Sequence, residues 1–272
     1  MISRTEIERL LAEDVPAGDL TTDALGFGHR PGHMTFTARH DMVLAGIEVA
    51  AKMMDGLTVV LHAKDGDWLP AGTAILEARG PASALHRAWK AAQTLLEILS
   101  GIASATRAVV EAAAPLPVAT TRKTVPGARA LSQLAVRAGG GILHRHGLSE
   151  TILVFPEHRL FLGGESLSDI AARLRRTQPE KALTVEVGTI DEAVEAAVAG
   201  FDVVQLEKFA PEAVAELVDR LPERGKRARI GAAGGIDPAN AAAYAAAGAD
   251  FIVTSWPYTA RPRDVAVRLF AD

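Results

Sequence analysis

Five cations, Arg122, Lys123, Arg129, Arg137 and Arg145, and two histidines, His144 and His146, lie in a stretch that has no carboxylate from Ala112 to Ser149. The chain as a whole carries a net charge of −4, so this clearing is local and marks a demand for positive charge, which an anionic ligand supplies a reason for. Thr120, Thr121 and Thr124 add hydroxyl donors, and Pro126-Gly127 is a turn signal. Gly139-Gly140-Gly141 has no side chains, so its backbone N–H groups are expected to approach a ligand closely. Two carboxylates, Glu186 and Glu207, close otherwise apolar runs; two acids at one rim can bind Mg2+ or accept hydrogen bonds from ribose hydroxyls. Gly234-Gly235, between an apolar run and a helical one, is a candidate phosphate turn.

The elements that must position these residues follow from periodicity. A short helix is expected over Ser3–Ala12, then a polar turn from Glu13 to Thr22. His33–Ala45 and Leu57–Ala63 alternate as strands, Gly46–Met54 reads as a helix, and Trp68–Glu77 as a strand pair broken at Pro70-Ala-Gly72. Ala82–Ser100 is an apolar-faced helix that Gly101 is expected to end. From Thr106 the pattern becomes strand–helix alternation, which calls for a parallel sheet. Strands are expected at 118–121, 151–155, 183–187, 203–207, 229–233 and 251–254, with helical runs between them such as Leu131–Ala138, Leu167–Gln178, Asp191–Ala199, Ala213–Arg220 and Pro238–Ala247. Six β units are too few for a closed eight-stranded barrel and predict an α/β chain with an open, TIM-like barrel, whose site lies at the C-terminal ends of the strands. The reading divides the chain into an α+β domain at 1–105 and a barrel at 106–256, with a C-terminal helix at 257–272 returning to the first.

Composition excludes several classes. The slightly acidic balance argues against a general nucleic-acid binder. With no cysteine there are no disulfides and no thiolate metal sites. The N-terminal residues lack the apolar core of a signal peptide, and the long apolar stretch Ala88–Ala114 is interrupted by Lys90, Gln93, Glu97 and Arg107. A cytoplasmic protein without membrane spans is expected.

Thr121-Arg-Lys-Thr-Val-Pro-Gly127, Ala135-Val136, Gly139-Gly-Gly141 and His144-Arg145, in this order and spacing, resemble the quinolinate phosphoribosyltransferase (nicotinate-nucleotide pyrophosphorylase) family. Glu13-Asp14, Gly18-Asp19 and Thr21 match its early acidic signature, and Ser100-Gly-Ile-Ala103 matches another of its motifs. The resemblance implies transfer of phosphoribosyl from phosphoribosyl pyrophosphate (PRPP), with Mg2+, in a homodimer or hexamer with shared active sites. It implies that Arg122, Lys123, His144 and Arg145 hold anionic groups of acceptor and pyrophosphate, with Lys123 counted among the catalytic residues. Glu186 and Glu207 would then hold ribose and metal, and Gly234 and Gly235 the 5′-phosphate. It also places Trp89-Lys90 where the family has Glu-Arg, whose Arg enters a neighbouring subunit's site; Lys90 keeps the charge but not the planar fork.

Three departures set this chain apart. Phe155 stands where the family has a Lys that binds carboxylates, Thr254-Ser-Trp-Pro-Tyr258 replaces Gly-Ala-Leu-Thr, and Trp89-Lys90 replaces Glu-Arg. Together they resemble the ModD-type branch of pyrophosphorylase-like proteins, associated with molybdate transport. Two alternatives stay open: a Schiff-base aldolase using Lys123 or Lys208, and a non-catalytic binding protein for a phosphorylated or oxyanionic ligand.

Overall fold

The computed structural model describes residues 2–222 and 228–272. In chain order the elements are α1 (Arg4–Asp14), α2 (Leu20–Leu25), β1 (Pro31–Ala38), β2 (Met42–Val43), α3 (Ile47–Lys52), β3 (Thr58–Leu61), β4 (Trp68–Leu69), β5 (Ala74–Pro81) and α4 (Ala82–Ala113). They continue as β6 (Val118–Thr120), α5 (Arg129–Ala138), β7 (Ile142–Leu143), β8 (Ile152–Val154), α6 (Pro156–Arg159), α7 (Leu167–Thr177), β9 (Leu183–Val187) and α8 (Ile190–Val198). The last are β10 (Val203–Glu207), α9 (Pro211–Arg220), β11 (Arg229–Ala233), α10 (Ala241–Ala246), β12 (Phe251–Thr254) and β13 (Val265–Ala271). Two compact units result: Met1–Arg107 with Thr124–Gly140 and Pro257–Asp272, and Ala108–Lys123 with Gly141–Trp256. The segment Thr124–Gly140, which the sequence assigns to the barrel run, thus counts with the first unit.

The first unit holds an antiparallel sheet in the order β13-β1-β5-β3. Its alternating strands bury one face: Met34, Phe36 and Ala38 of β1 and Leu76 and Ala78 of β5 are out of solvent, and the buried Ile75 falls at a register shift between the two strands. The early acidic motif is structural here, since Asp19 caps α2, accepting from the N–H of Thr21 and Thr22 and from the Thr22 hydroxyl. These bonds to Thr22 hold its carboxyl below the usual range.

Two expectations in this unit are overturned. Gly101 does not end the helix, because α4 runs on to Ala113. Ser100 and Ser104, one turn apart, instead turn their hydroxyls sideways to accept from the N–H of Ala45 and Val43. Gly101 serves close approach, since a Cβ there would lie 2.5 Å from the Arg261 carbonyl oxygen. The C-terminal segment is also not a helix: Val265–Ala271 is β13, antiparallel to β1 from Gly32↔Ala271 to Ala38↔Val265. Its alternating Val265, Val267, Leu269 fits an edge strand, and a nine-residue window at a chain end does not separate the two periodicities.

The second unit is a seven-stranded sheet, β7-β6-β12-β11-β10-β9-β8, parallel at every pairing. The sheet is open, with β7 and β8 at its two edges. The seventh strand, β7, escapes the sequence because two residues after three glycines have no readable period. Alternate residues of each strand face opposite ways. Val185 and Val187, Val204 and Leu206, Ile230 and Ala232, and Ile252 pack on the helices in one core. Those helices present matching stripes, as in α7 with buried Leu167, Ile170 and Ala171, and α9 with Val214 and Leu217. The other sheet face carries a small apolar cluster, Ala119, Ala233 and Val253 with Phe251, and the polar side chains considered next.

Gly101 provides a direct test of the continuous helix. Alanine would gain about 1 kcal/mol in helix propensity, yet a Cβ pressed on a backbone carbonyl costs about 1–3 kcal/mol. Gly101→Ala should therefore lower the urea midpoint; an unchanged or raised midpoint would show that the chain at Arg261 gives way freely.

Candidate active site

The polar residues of the second unit gather at the C-terminal ends of its strands because an apolar strand can end in a charged residue only where the barrel mouth is wet. They line a cavity of about 490 Å³. Arg122 and Lys123 follow β6, His144 and Arg145 follow β7, and Phe155 and Glu157 follow β8. Glu186 is on β9, Gln205 and Glu207 are on β10, and Gly234-Gly235 follow β11. Of the residues to which the family resemblance gives roles, Arg122, Lys123, His144, Arg145, Glu186, Glu207, Gly234 and Gly235 line this one cavity, and Lys90 does not; Arg129 and Arg137 of the basic stretch also lie outside it.

Arg145 is only 6% exposed, and among the described residues no carboxylate lies within ion-pair distance of Arg122, Lys123 or Arg145. Burial, and then the positive charge of Arg122, pull the Arg145 pKa down, with Glu186 opposing them. What Arg145 has is the Phe155 ring, with its guanidinium carbon 5.4 Å from the centroid, a contact contributing about 0.5–2 kcal/mol. Phe155 is itself fixed, stacked on His158 and donating its N–H to His158 Nδ1 at 2.9 Å. His144 donates its N–H to the Thr120 carbonyl, and burial followed by the charge of Arg145 drives its imidazole pKa down to about 4. At neutral pH it is uncharged and offers a hydrogen bond rather than a charge.

Glu186 and Gln205 are register partners on β9 and β10, and the Gln205 amide donates to Glu186 Oε2. Burial raises the Glu186 pKa, the amide bond lowers it, and the negative charge of Glu207 raises it further. Two carboxylates therefore face each other's field at one rim. Gln205 is a site residue that sequence reading misses; its signal is a buried polar residue within the apolar run Val203–Leu206, two positions before Glu207.

The turn after β11 differs from the helix N-terminus expected. The helix begins only at Ala241, and the N–H groups of Asp237, Ala239 and Asn240 are taken by the side chains of Asp237 and Asn240. Those of Gly234 and Gly235 have no partner among the described residues. Both glycines have positive φ, 89° and 71°. A Cβ on Gly234 would sit 2.6 Å from Lys208 Cγ and 3.2 Å from Glu207 Oε1. Lys208 has φ 59°, alone among the described non-glycine residues in being positive, a backbone state costing roughly 1–3 kcal/mol.

Three candidates lie elsewhere. Gly139 packs on α4, where a Cβ would meet the Ala103 carbonyl and Thr106 at 2.5 Å, so Gly139 serves packing, and none of the three glycines lines the cavity. His146 pairs with Glu150. Lys90 is exposed on α4 in the first unit, 3.2 Å from Gln93 Oε1 and 5.2 Å from the Trp89 ring centroid.

An open parallel barrel with unpaired cations, paired glutamates and a glycine turn at its strand ends defines a phosphoribosyltransferase-type scaffold. The description "Quinolinate phosphoribosyl transferase, N-terminal domain" matches residues 19–100, and the corresponding C-terminal domain matches 102–268. The chain belongs to the quinolinate phosphoribosyltransferase family, whose members are phosphoribosyltransferases. It is similar to the protein named pyrophosphorylase ModD in Rhodobacter capsulatus, 45% identical over 248 residues, covering 89% of this chain and 95% of the relative. A Synechocystis protein named as a carboxylating nicotinate-nucleotide pyrophosphorylase is 33% identical, covering 94% of this chain and 88% of that one. The NadC structure from Streptococcus pyogenes superposes with a TM-score of 0.91 at 31% identity, covering 98% and 96% of the two chains. No helix among the described residues is long and apolar enough to cross a membrane.

His144 yields a pH prediction. Its folded pKa, about 4, lies below the ordinary 6.5. Between these values the unfolded state binds more protons, so this group contributes stability above pH 6.5 that is lost as pH falls toward 4. His144→Gln should flatten the fall in urea-unfolding stability over pH 6.5–4; parallel curves for the two proteins would place the imidazole in water.

Proposed function

We propose that this ModD-like family pyrophosphorylase transfers the phosphoribosyl group of PRPP to an anionic, heterocyclic acceptor. The carrying observation is Arg145, nearly buried and in the field of Arg122, with no carboxylate within ion-pair distance among the described residues, which calls for an anion. In the reaction the C1–O bond to pyrophosphate breaks and pyrophosphate leaves with the electron pair, while an acceptor ring nitrogen donates its lone pair to C1. No cavity residue is needed as a nucleophile; the work is positioning and charge stabilisation of an oxocarbenium-like carbon. Arg122, Lys123 and Arg145 hold acceptor and pyrophosphate anions, with His144 as a neutral donor. Glu186 and Glu207 accept from the ribose hydroxyls, and the unused N–H groups of Gly234 and Gly235 receive the 5′-phosphate.

The site fits Mg2+ as a partner of substrate rather than as a caged ion. No group of three or more ligating side chains occurs among the described residues, and Mg2+ characteristically takes one or two carboxylates with water and phosphate oxygens. Glu186 and Glu207 would hold it, and their mutual repulsion supports a cation at that rim. When bound it supplies charge neutralisation for pyrophosphate. We extend the proposal to a homodimer or hexamer in which Lys90, on the exposed side of α4 near exposed Ile98, enters the partner's site; a monomer by light scattering at micromolar concentration would end that part.

Glu186→Ala and Glu207→Ala should each weaken calorimetric PRPP affinity by about 1–3 kcal/mol with circular dichroism unchanged, and unchanged affinity in both would refute the ribose assignment. Quinolinate should be a poor acceptor, because Phe155 offers an apolar wall where a second ring carboxylate would need a cation, a loss of roughly 1.5–3 kcal/mol. Nicotinate mononucleotide formation with kcat/KM of about 10⁴ M⁻¹s⁻¹ or more would show instead that the remaining cations suffice.

A further inference from the structure

Lys208 sits in a backbone state that asparagine or glycine adopts more readily. Its local contacts do not explain a lysine there. The N–H, which donates to the Ala233 carbonyl at 2.7 Å, is a backbone group that any residue but proline would supply. The ion pair with Glu207 is long, 3.8 Å, and the lysine side chain is 76% exposed, so the pair adds little. The geometry instead makes room for the side chain. Gly234 lacks the Cβ that would strike Lys208 Cγ at 2.6 Å, so the lysine stem passes over the glycine turn, and Lys208 is among the residues that line the cavity. The same turn carries the two unused N–H groups of Gly234 and Gly235. A strained lysine, a missing Cβ and two free donors converge on one spot, and a tetrahedral anion is what such donors take.

We propose that Lys208 is a ligand-binding residue that contacts, through Nζ, the phosphate group of a phosphorylated sugar held at the Gly234-Gly235 turn. This rests on the phosphoribosyl reading of the cavity and adds a charge to a subsite otherwise made of backbone alone.

The test compares wild type, Lys208→Asn and Lys208→Arg by thermal melting and by calorimetric titration with ribose 5-phosphate and with PRPP plus Mg2+. Asparagine suits the left-handed backbone, so its variant should melt at or above the wild-type temperature. It should bind both ligands about ten-fold more weakly, the loss of one charge-assisted contact, while the arginine variant stays within about three-fold of wild type. A residue with a merely structural role would show the reverse, a lower melting temperature for asparagine and no change in affinity, and that result overturns the proposal. Equal affinity of wild type and Lys208→Asn for ribose 5-phosphate overturns it whatever the melting temperatures. A wild type that binds ribose 5-phosphate but not PRPP removes the transferase reading and leaves Lys208 supported if the asparagine variant is weaker. A wild type that binds neither ligand overturns both.

Discussion

A guanidinium taken out of water must be neutralised, and among the described residues no carboxylate lies within ion-pair distance of Arg145, with Glu186 acting on it only from farther off. Arg122 lies close enough to depress its pKa further, so the protein holds like charges together at a cost in stability. Phe155 offsets part of that cost through its ring face, without adding a third positive charge or satisfying the guanidinium's hydrogen bonds. Such an arrangement is stable only because the sheet and helices around it overdetermine it, and it leaves the cavity prepared for an anion. Preorganised charge of this kind is what makes a site useful for a reaction in which negative charge departs.

The sheet makes this possible by giving its two faces different tasks. One face, from Val185 and Leu206 to Ile230 and Ile252, is wholly apolar and carries the helices. The other has a small apolar floor of Ala119, Ala233 and Val253, and its charged groups Glu186 and Glu207 stand toward the C-terminal strand ends, with Gln205 one step further in. Phe251 fills the interior against Gly231, where a Cβ would meet the ring at 2.4 Å. The cavity is therefore confined to the rim, and Glu186, Gln205 and Glu207 project into it from neighbouring strands. Burial raises the Glu186 pKa, the hydrogen bond from the Gln205 amide lowers it, and the negative charge of Glu207 raises it again.

The family, the parallel sheet and most of the cavity were legible in the linear order of residues. Six strands stood out because apolar runs of four or five residues alternate with amphipathic helices, and the charged residues that close those runs could only be at a rim. The site set, from Arg122 to Gly235, was legible because each member interrupts an otherwise apolar or glycine-rich segment. Gln205 was hidden by the same logic in reverse, since one amide within Val203–Leu206 looks like a lapse in a buried strand until its partner on β9 is seen.

The sequence by itself determined the local states: where amphipathic faces lie, which runs are strands, and that carboxylates are absent from one long segment. Only the tertiary structure decided what each punctuating residue is for. Gly101 and Gly139 read as a helix stop and as part of a ligand loop, yet at each a Cβ would lie 2.5 Å from a backbone carbonyl oxygen distant in sequence, a close approach with no local signature. The C-terminal segment became β13 because an edge of the first sheet was available to pair with it, and pairing with a strand more than two hundred residues earlier overrides a weak local preference. Lys208 stands out in the sequence only as a lysine at a strand end; its strained φ and its place over Gly234 arise only when β10 and β11 end side by side, because that is where two separate turns must share the same space.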